Sequence, residues 1–239
     1  MGNFRQLLDE GKLDQAIDSV TAELRSHPED LQLRTTLFEL LCFSGKWDRA
    51  EKQLDVLGSG KDRRNGALVY LGAVSAERTR EETVAGRKYG AAPEGTGFSG
   101  TVNGTRFTSI SDADPRVGSR LEVYMGADCM WIPFEQIASI QIDPPKRLRD
   151  LIWSPAKLKL RAPEAGAGEG EVLLPVLSVF SGRHADPLVR LGRMTVWETD
   201  ESGEDVPYGQ KMLVVEGEEI PLLEIREVEF EHAAAMTES

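Results

Sequence analysis

An internal echo restricts this chain more than any other feature. Gly11-Lys12-Leu13-Asp14-Gln15-Ala16 recurs as Gly45-Lys46-Trp47-Asp48-Arg49-Ala50, 34 residues later. That offset is the tetratricopeptide period. Phe4 and Leu7 map onto Phe38 and Leu41 by the same shift, so the preceding segments carry matching apolar positions. Each unit is expected to be a helical hairpin. The glycine allows a tight turn, Leu13 or Trp47 plugs the corner, and Ala16 or Ala50 lets the second helix approach the first.

His27-Pro28-Glu29-Asp30 should close the first hairpin, because proline disfavours helical geometry in the residue before it. Helices are predicted over 31–43, where Leu33, Leu37, Leu40 and Leu41 recur at helical spacing, and over 48–57, with Leu54 and Leu57 inward before Gly58-Ser59-Gly60. A fifth helix over 63–86 has Leu68, Leu71 and Val74 early, then the polar run Glu77-Arg78-Thr79-Arg80-Glu81-Glu82, read as a solvated cap. Two hairpins bury a face only by stacking, and about three units are usually needed. Another part of the chain must therefore complete the stack. Leu37, Phe38, Leu41 and Trp47 are either its core or the floor of an apolar groove for a partner's helix.

Small residues, a proline and three glycines at 90–97 break the helical pattern. This marks a linker between a helical domain, 1–89, and a β-rich domain, 98–239. Beyond it, short apolar or β-branched runs separated by turn residues predict strands at 106–110, 121–125, 129–134, 137–142, 172–179, 194–198, 211–215, 222–225 and 228–230. Gly126-Ala127-Asp128 and Glu216-Gly217-Glu218-Glu219 are short enough to be hairpin turns. A short helix is expected at 146–153 and a mobile loop at 162–170. The fold class is α+β: tetratricopeptide-like hairpins, then a mostly antiparallel, partly closed, barrel-like sheet.

Charge and cysteine content narrow the function. The net charge is −12. From Glu198 onward 13 acids face only Lys211 and Arg226. Such a surface repels phosphate backbones, so nucleic acid is not an expected partner. No apolar run reaches the roughly 18 residues of a membrane span, and the first ten residues carry no apolar signal core. A soluble cytoplasmic protein without a membrane partner is expected. Cys42 and Cys129 lie far apart in apolar stretches and are read as buried free thiols. His27, His184 and His232 are scattered, without zinc-ligand spacing.

Chemistry has few candidates. Asp112-Ala113-Asp114 could set two carboxylates on one side of an extended segment for a hard cation, although aspartate before proline is ordinary turn chemistry. Gly95-Thr96-Gly97-Phe98-Ser99-Gly100 has dinucleotide-type glycine spacing but lacks the required strand and helix around it. Arg149 and Asp150 beside Trp153, and Arg193 beside Thr195 and Trp197, combine a planar cation with an indole, which suits an internal brace or an interface anchor.

An ordered series of blocks, 107–118, Leu121-Glu122, Trp131-Ile132-Pro133-Phe134-Glu135, 149–156, 191–197 and Gly209-Gln210-Lys211, resembles the ImpE family, some members of which are called TagJ. Together with the first glycine hairpin, the resemblance covers nearly the whole chain. It implies a cytoplasmic accessory factor of bacterial type VI secretion, without catalysis, cofactor or metal. It further implies binding to the N-terminal helix of the small sheath subunit and a link to the unfoldase that recycles the contracted sheath. Two alternatives stand beside it: a metal-assisted hydrolase at Asp112 and Asp114, and a self-associating structural component.

Overall fold

In a computed structural model describing residues 3–60, 64–91, 98–161 and 168–231, the two glycine turns of the echo are one backbone object used twice. Helix α1 (Phe4–Asp9) ends where Gly11 N–H donates to the Leu8 carbonyl at 2.9 Å and Lys12 N–H to the Leu7 carbonyl at 2.7 Å. Helix α3 (Leu31–Phe43) ends where Gly45 and Lys46 repeat those bonds to Cys42 and Leu41, each at 3.0 Å. These are Schellman closures, and they need a left-handed residue after the cap. Gly11 and Gly45 supply it at φ 74° and 60°. Helix α2 (Leu13–Ser26) follows the first turn and α4 (Trp47–Leu57) the second. Asp30 caps α3 by accepting from Gln32 N–H at 2.8 Å and Leu33 N–H at 3.0 Å.

The long α5 (Arg64–Ala85) departs from expectation at both ends. Leu68 lies on the surface, whereas Glu77, Arg80 and Glu81 in the polar run are buried, so that run is not a solvated cap. The charges have partners: Arg80 Nη1 donates to the Leu177 carbonyl at 3.0 Å and Trp47 Nε1 to Glu81 at 2.9 Å, and Arg183 pairs with Glu81.

Contacts between Cα atoms divide the chain into two units, neither a single run of sequence. One comprises Met1–Lys88, Tyr124–Cys129 and Leu177–Gln210; the other comprises Tyr89–Val123, Met130–Val176 and Lys211–Ser239. Most of the linker expected at 90–97, including the first three residues of its glycine pattern, lies outside the described residues. So do residues 162–167 of the expected loop, and His232.

Within the first unit, residues 177–210 lie against both glycine turns. A Cβ at Gly11 would meet Leu188 Cδ2 at 2.7 Å, and a Cβ at Gly182 would meet the Gly45 nitrogen at 2.6 Å. Arg190 grips Asp14 through two bonds, the shorter 2.6 Å, and Arg193 donates to the Asp9 carbonyl at 3.1 Å. This segment contributes the four-residue α6 (Pro187–Arg190) and the hairpin of β9 (Val196–Thr199) with β10 (Asp205–Tyr208).

The second unit is built on an eight-stranded sheet ordered β2-β1-β13-β6-β7-β8-β4-β5 and a three-stranded sheet ordered β12-β11-β3. The strands of the large sheet are β1 (Gly100–Val102), β2 (Thr105–Phe107), β4 (Arg120–Met125), β5 (Asp128–Pro133), β6 (Ile137–Ile142), β7 (Trp153–Leu160), β8 (Glu169–Pro175) and β13 (Glu227–Phe230). Those of the small one are β3 (Ile110–Asp112), β11 (Met212–Val215) and β12 (Glu218–Pro221). The fold is α+β with a large antiparallel sheet; a partly closed, barrel-like sheet was expected, and among the described residues there is no closed barrel. Closure requires the terminal strands to pair. Here β2 and β5 remain edges, and β2 has only three residues. Phe134 stacks on Phe230 at 5.4 Å, and Phe107 meets Phe230 edge-on at 5.8 Å, within a core shared by both sheets.

Two expected elements are tighter than predicted: 146–153 contains only a 3-10 turn, Leu148–Leu151, and 222–225 is the 3-10 turn Leu222–Glu224 rather than a strand. Strand β8 stops at Pro175, short of 179. Strand β7 was not expected, because Ser154-Pro155 masks its alternation of inward Ala156 and Leu158 with outward Lys157 and Lys159. Pro155 is tolerated because pairing of β7 with β6 begins at Ala156.

Candidate functional site

The residues singled out for chemistry form a buried charge network. Asp112 Oδ1 accepts the Asp114 N–H at 2.9 Å, and Asp114 Oδ1 accepts the Arg116 N–H at 3.0 Å. Two successive Asx turns thus fold the loop after β3 onto itself. The remaining valences face cations. Arg116 forks onto Asp114 at 2.8 and 2.6 Å. Lys211 Nζ sits 2.7 Å from Asp112 and 2.9 Å from Glu122. Trp131 Nε1 donates to the other Glu122 oxygen at 2.8 Å, while the Arg120 guanidinium lies 4.7 Å over the Trp131 ring. Among the described residues, no three His, Cys, Asp or Glu side chains gather to hold a metal ion. The two aspartates are counter-ions to the chain's own cations.

Burial pushes the Asp112 carboxyl up to about 6, against the attraction of Lys211. Its folded pKa is then above its unfolded value of 3.8, so the native state holds the extra proton between those values. This contribution to stability grows as pH falls from about 6 toward 4 and is absent at neutral pH. At roughly 1.4 kcal/mol per unit, the difference in unfolding free energy between the natural chain and D112N should shift by about 2–3 kcal/mol in favour of the natural chain between pH 7 and 4. Urea unfolding at both pH values measures it; an unchanged difference would refute the assignment.

The other motif residues are placed as follows. Asp150 caps its 3-10 turn by accepting Lys146 and Arg147 N–H at 2.8 and 2.9 Å. Arg149 precedes it in that turn, and Trp153 is buried at the start of β7. Thr195 Oγ1 donates to the Gln210 carbonyl at 2.9 Å, and Gln210 Nε2 to the Gly192 carbonyl at 3.1 Å, tying the two ends of the β9–β10 excursion together. Arg193 holds Asp9, while Trp197 is 41% exposed. Glu122 and Lys211 carry the centre of the network, yet they are 89 positions apart. No spacing rule could pair them.

The four groove candidates lie in the helical unit. Leu37, Phe38 and Leu41 are 4%, 1% and 0% exposed, so in this conformation they present no surface to a partner. Trp47 is half-buried over Glu81. Exposed apolar side chains on its helices are instead Val56, Leu68 and Val69 on α4 and α5, joined by Met125 at the tip of the β4–β5 hairpin, while Leu188, Met194 and Trp197 are exposed on the 177–210 segment. Helices α4 and α5 and that hairpin touch: a Cβ at Gly58 would come 2.9 Å from Ala67, and one at Gly72 would come 2.4 Å from the Gly126 carbonyl. Neither Cys42 nor Cys129 is in a disulfide; Cys42 is buried, but Cys129 is only half-buried, contrary to expectation. No helix among the described residues is long and apolar enough to cross a membrane.

A solved structure shares this fold, and known sequences resemble this chain. The crystal structure of protein VPA1032 from Vibrio parahaemolyticus matches with a TM-score of 0.83 at 21% identity, covering 98% of this chain and 99% of that one. The type VI secretion system accessory component TagJ of Pseudomonas aeruginosa is 32% identical, over 95% of this chain and 90% of its own length. The ImpE protein family model matches residues 104–229, the span holding the Asp112 network and the Trp197 hairpin. With more than half its length under that model and a relative this similar along almost all of it, the chain belongs to the ImpE family.

Proposed function

We propose that this protein is a non-enzymatic, cytoplasmic adaptor of a bacterial type VI secretion system that holds the N-terminal amphipathic helix of the small sheath subunit and links it to the sheath-recycling unfoldase. The observation that carries the reading is the 32% identity, over 95% of the chain, to a type VI secretion accessory component. Supporting it, the carboxylates that could have done acid-base or metal chemistry are neutralised internally by Lys211 and Arg116. The repeated glycine closures support a tetratricopeptide-like helical module, a type of scaffold that commonly receives helices and peptides.

The helix would lie on Leu68, Val69, Val56 and Met125, with Leu37, Phe38 and Leu41 as the packed layer that keeps that surface rigid. Apolar anchors one helical turn apart on the partner would supply affinity, and the polar rim its orientation. Titration calorimetry of the full chain with the synthetic sheath helix is expected to give a micromolar dissociation constant. The double variant L68D/V69D should weaken it by at least about tenfold, or roughly 1.4 kcal/mol. Absence of heat at high micromolar concentration would overturn the partner, and an unchanged constant in L68D/V69D would overturn the surface.

A further inference from the structure

A second surface on the first unit is independent of that reading. Strands β9 and β10 pair only with each other among the described residues, so each has a free edge. The two edges are unequal. Pro207 lies within β10 and has no N–H to offer, which blunts that side and leaves β9 as the edge able to bond another strand.

The two faces also differ. Val206 is buried, and opposite it Glu198 and its neighbours turn back onto His184, whose Nε2 lies 3.1 Å from Glu198 and whose ring sits 5.8 Å from Tyr208. The alternate face carries the exposed Trp197 and Thr199, across from the buried Pro207 and the exposed Asp205. Its Trp197 is 41% exposed, a large apolar anchor of the kind enriched at interface centres. Bonds from Thr195 to Gln210, from Gln210 to Gly192 and from Thr199 to Asp205 at 2.7 Å hold this face in place. Little ordering is left to be done on binding.

Charge selects the occupant. Residues 194–210 contain Glu198, Asp200, Glu201, Glu204 and Asp205 and no lysine or arginine. Asp200 spends its carboxylate on Ser202 and Glu204 N–H within the turn, but Glu201 and Glu204 are exposed at the turn that ends β9, a few residues along the chain from Trp197. A second copy docking here would set acids against acids, on a chain already at −12.

We propose that the β9 edge and the Trp197 face of this hairpin dock an extended, cationic segment of another protein. That segment would add a strand to β9, lay an apolar or arginine side chain on the indole, and place lysine or arginine near Glu201 and Glu204.

The test uses the full-length chain and a fluorescently labelled peptide of alternating lysine and leucine, with a glutamate-leucine peptide as counterpart. The cationic peptide is expected to bind at micromolar concentration, more weakly as salt rises, and the acidic one not at all. Both W197S and E201K/E204K should lower affinity by at least about tenfold, while E218K/E219K, at the start of β12, should leave it within about twofold. Equal loss in E218K/E219K would reduce the effect to general electrostatic attraction and overturn the proposal, as would undiminished binding by W197S. A dimer of the natural chain in light scattering that W197S abolishes would assign the face to a second copy instead, and also overturn it.

Discussion

Replacing Lys211 with methionine is expected to destabilise the fold by about 3–5 kcal/mol at pH 7, the range for removing one partner of a buried ion pair. Lys211 stands between Asp112 and Glu122 at 2.7 and 2.9 Å, and all three side chains are buried. Methionine fills much of the same volume, so the loss comes from two stranded carboxylates rather than from a cavity. The loss should shrink as pH falls through about 6, because Asp112 is already poised to take a proton there. Urea denaturation gives both quantities, with the midpoint falling and the slope unchanged. A loss below about 1 kcal/mol at pH 7, or one that grows on acidification, would show that the network is not held together by charge.

The second large effect is expected at Gly182. A Cβ there would lie 2.6 Å from the Gly45 nitrogen, 3.0 Å from its Cα and 3.1 Å from the Ser44 carbonyl carbon, all backbone atoms of the second glycine turn. Backbone cannot rotate away as a side chain can, so G182V should cost about 1–3 kcal/mol as the segment is pushed off the turn. G66A provides the opposite sign. Gly66 lies in α5 with nothing near its would-be Cβ, and alanine there should stabilise by about 0.5–1 kcal/mol through helix propensity and a less flexible unfolded chain. Thermal melting of the two variants beside the natural chain checks the pair; a G182V melting temperature equal to that of the natural chain would exclude the close approach.

Local signals were legible in the sequence, and distant ones were not. The two glycine closures, α3 and β6 follow from short-range rules and lie where the pattern puts them. The Glu216-Gly217 hairpin turn does too, with both residues at positive φ. Asn103-Gly104 is an equally local signal for the β1–β2 hairpin, and it has both φ values positive, but the patterning of apolar residues alone begins the strand after it. What periodicity could not reveal is where a polar run becomes interior: Glu77, Arg80 and Glu81 look solvated until Leu177 and Arg183 arrive from about a hundred positions away. The same holds for the candidate site. Asp112 and Asp114 stand out by spacing, but their meaning changes once Lys211 and Arg116 are seen to occupy them.

Because Leu188 and Gly182 cover the two glycine turns, the amino-terminal helices must wait for material made much later. At roughly 5–20 residues per second of synthesis, the interval between the emergence of Lys88 and that of Gln210 is on the order of 6–25 s. During it, the surfaces around Gly11 and Gly45 stay open to solvent and to chaperones. A ribosome stalled before the codon for Leu177 would therefore display helices without their clasp, and protease digestion of such a nascent chain should cut within them.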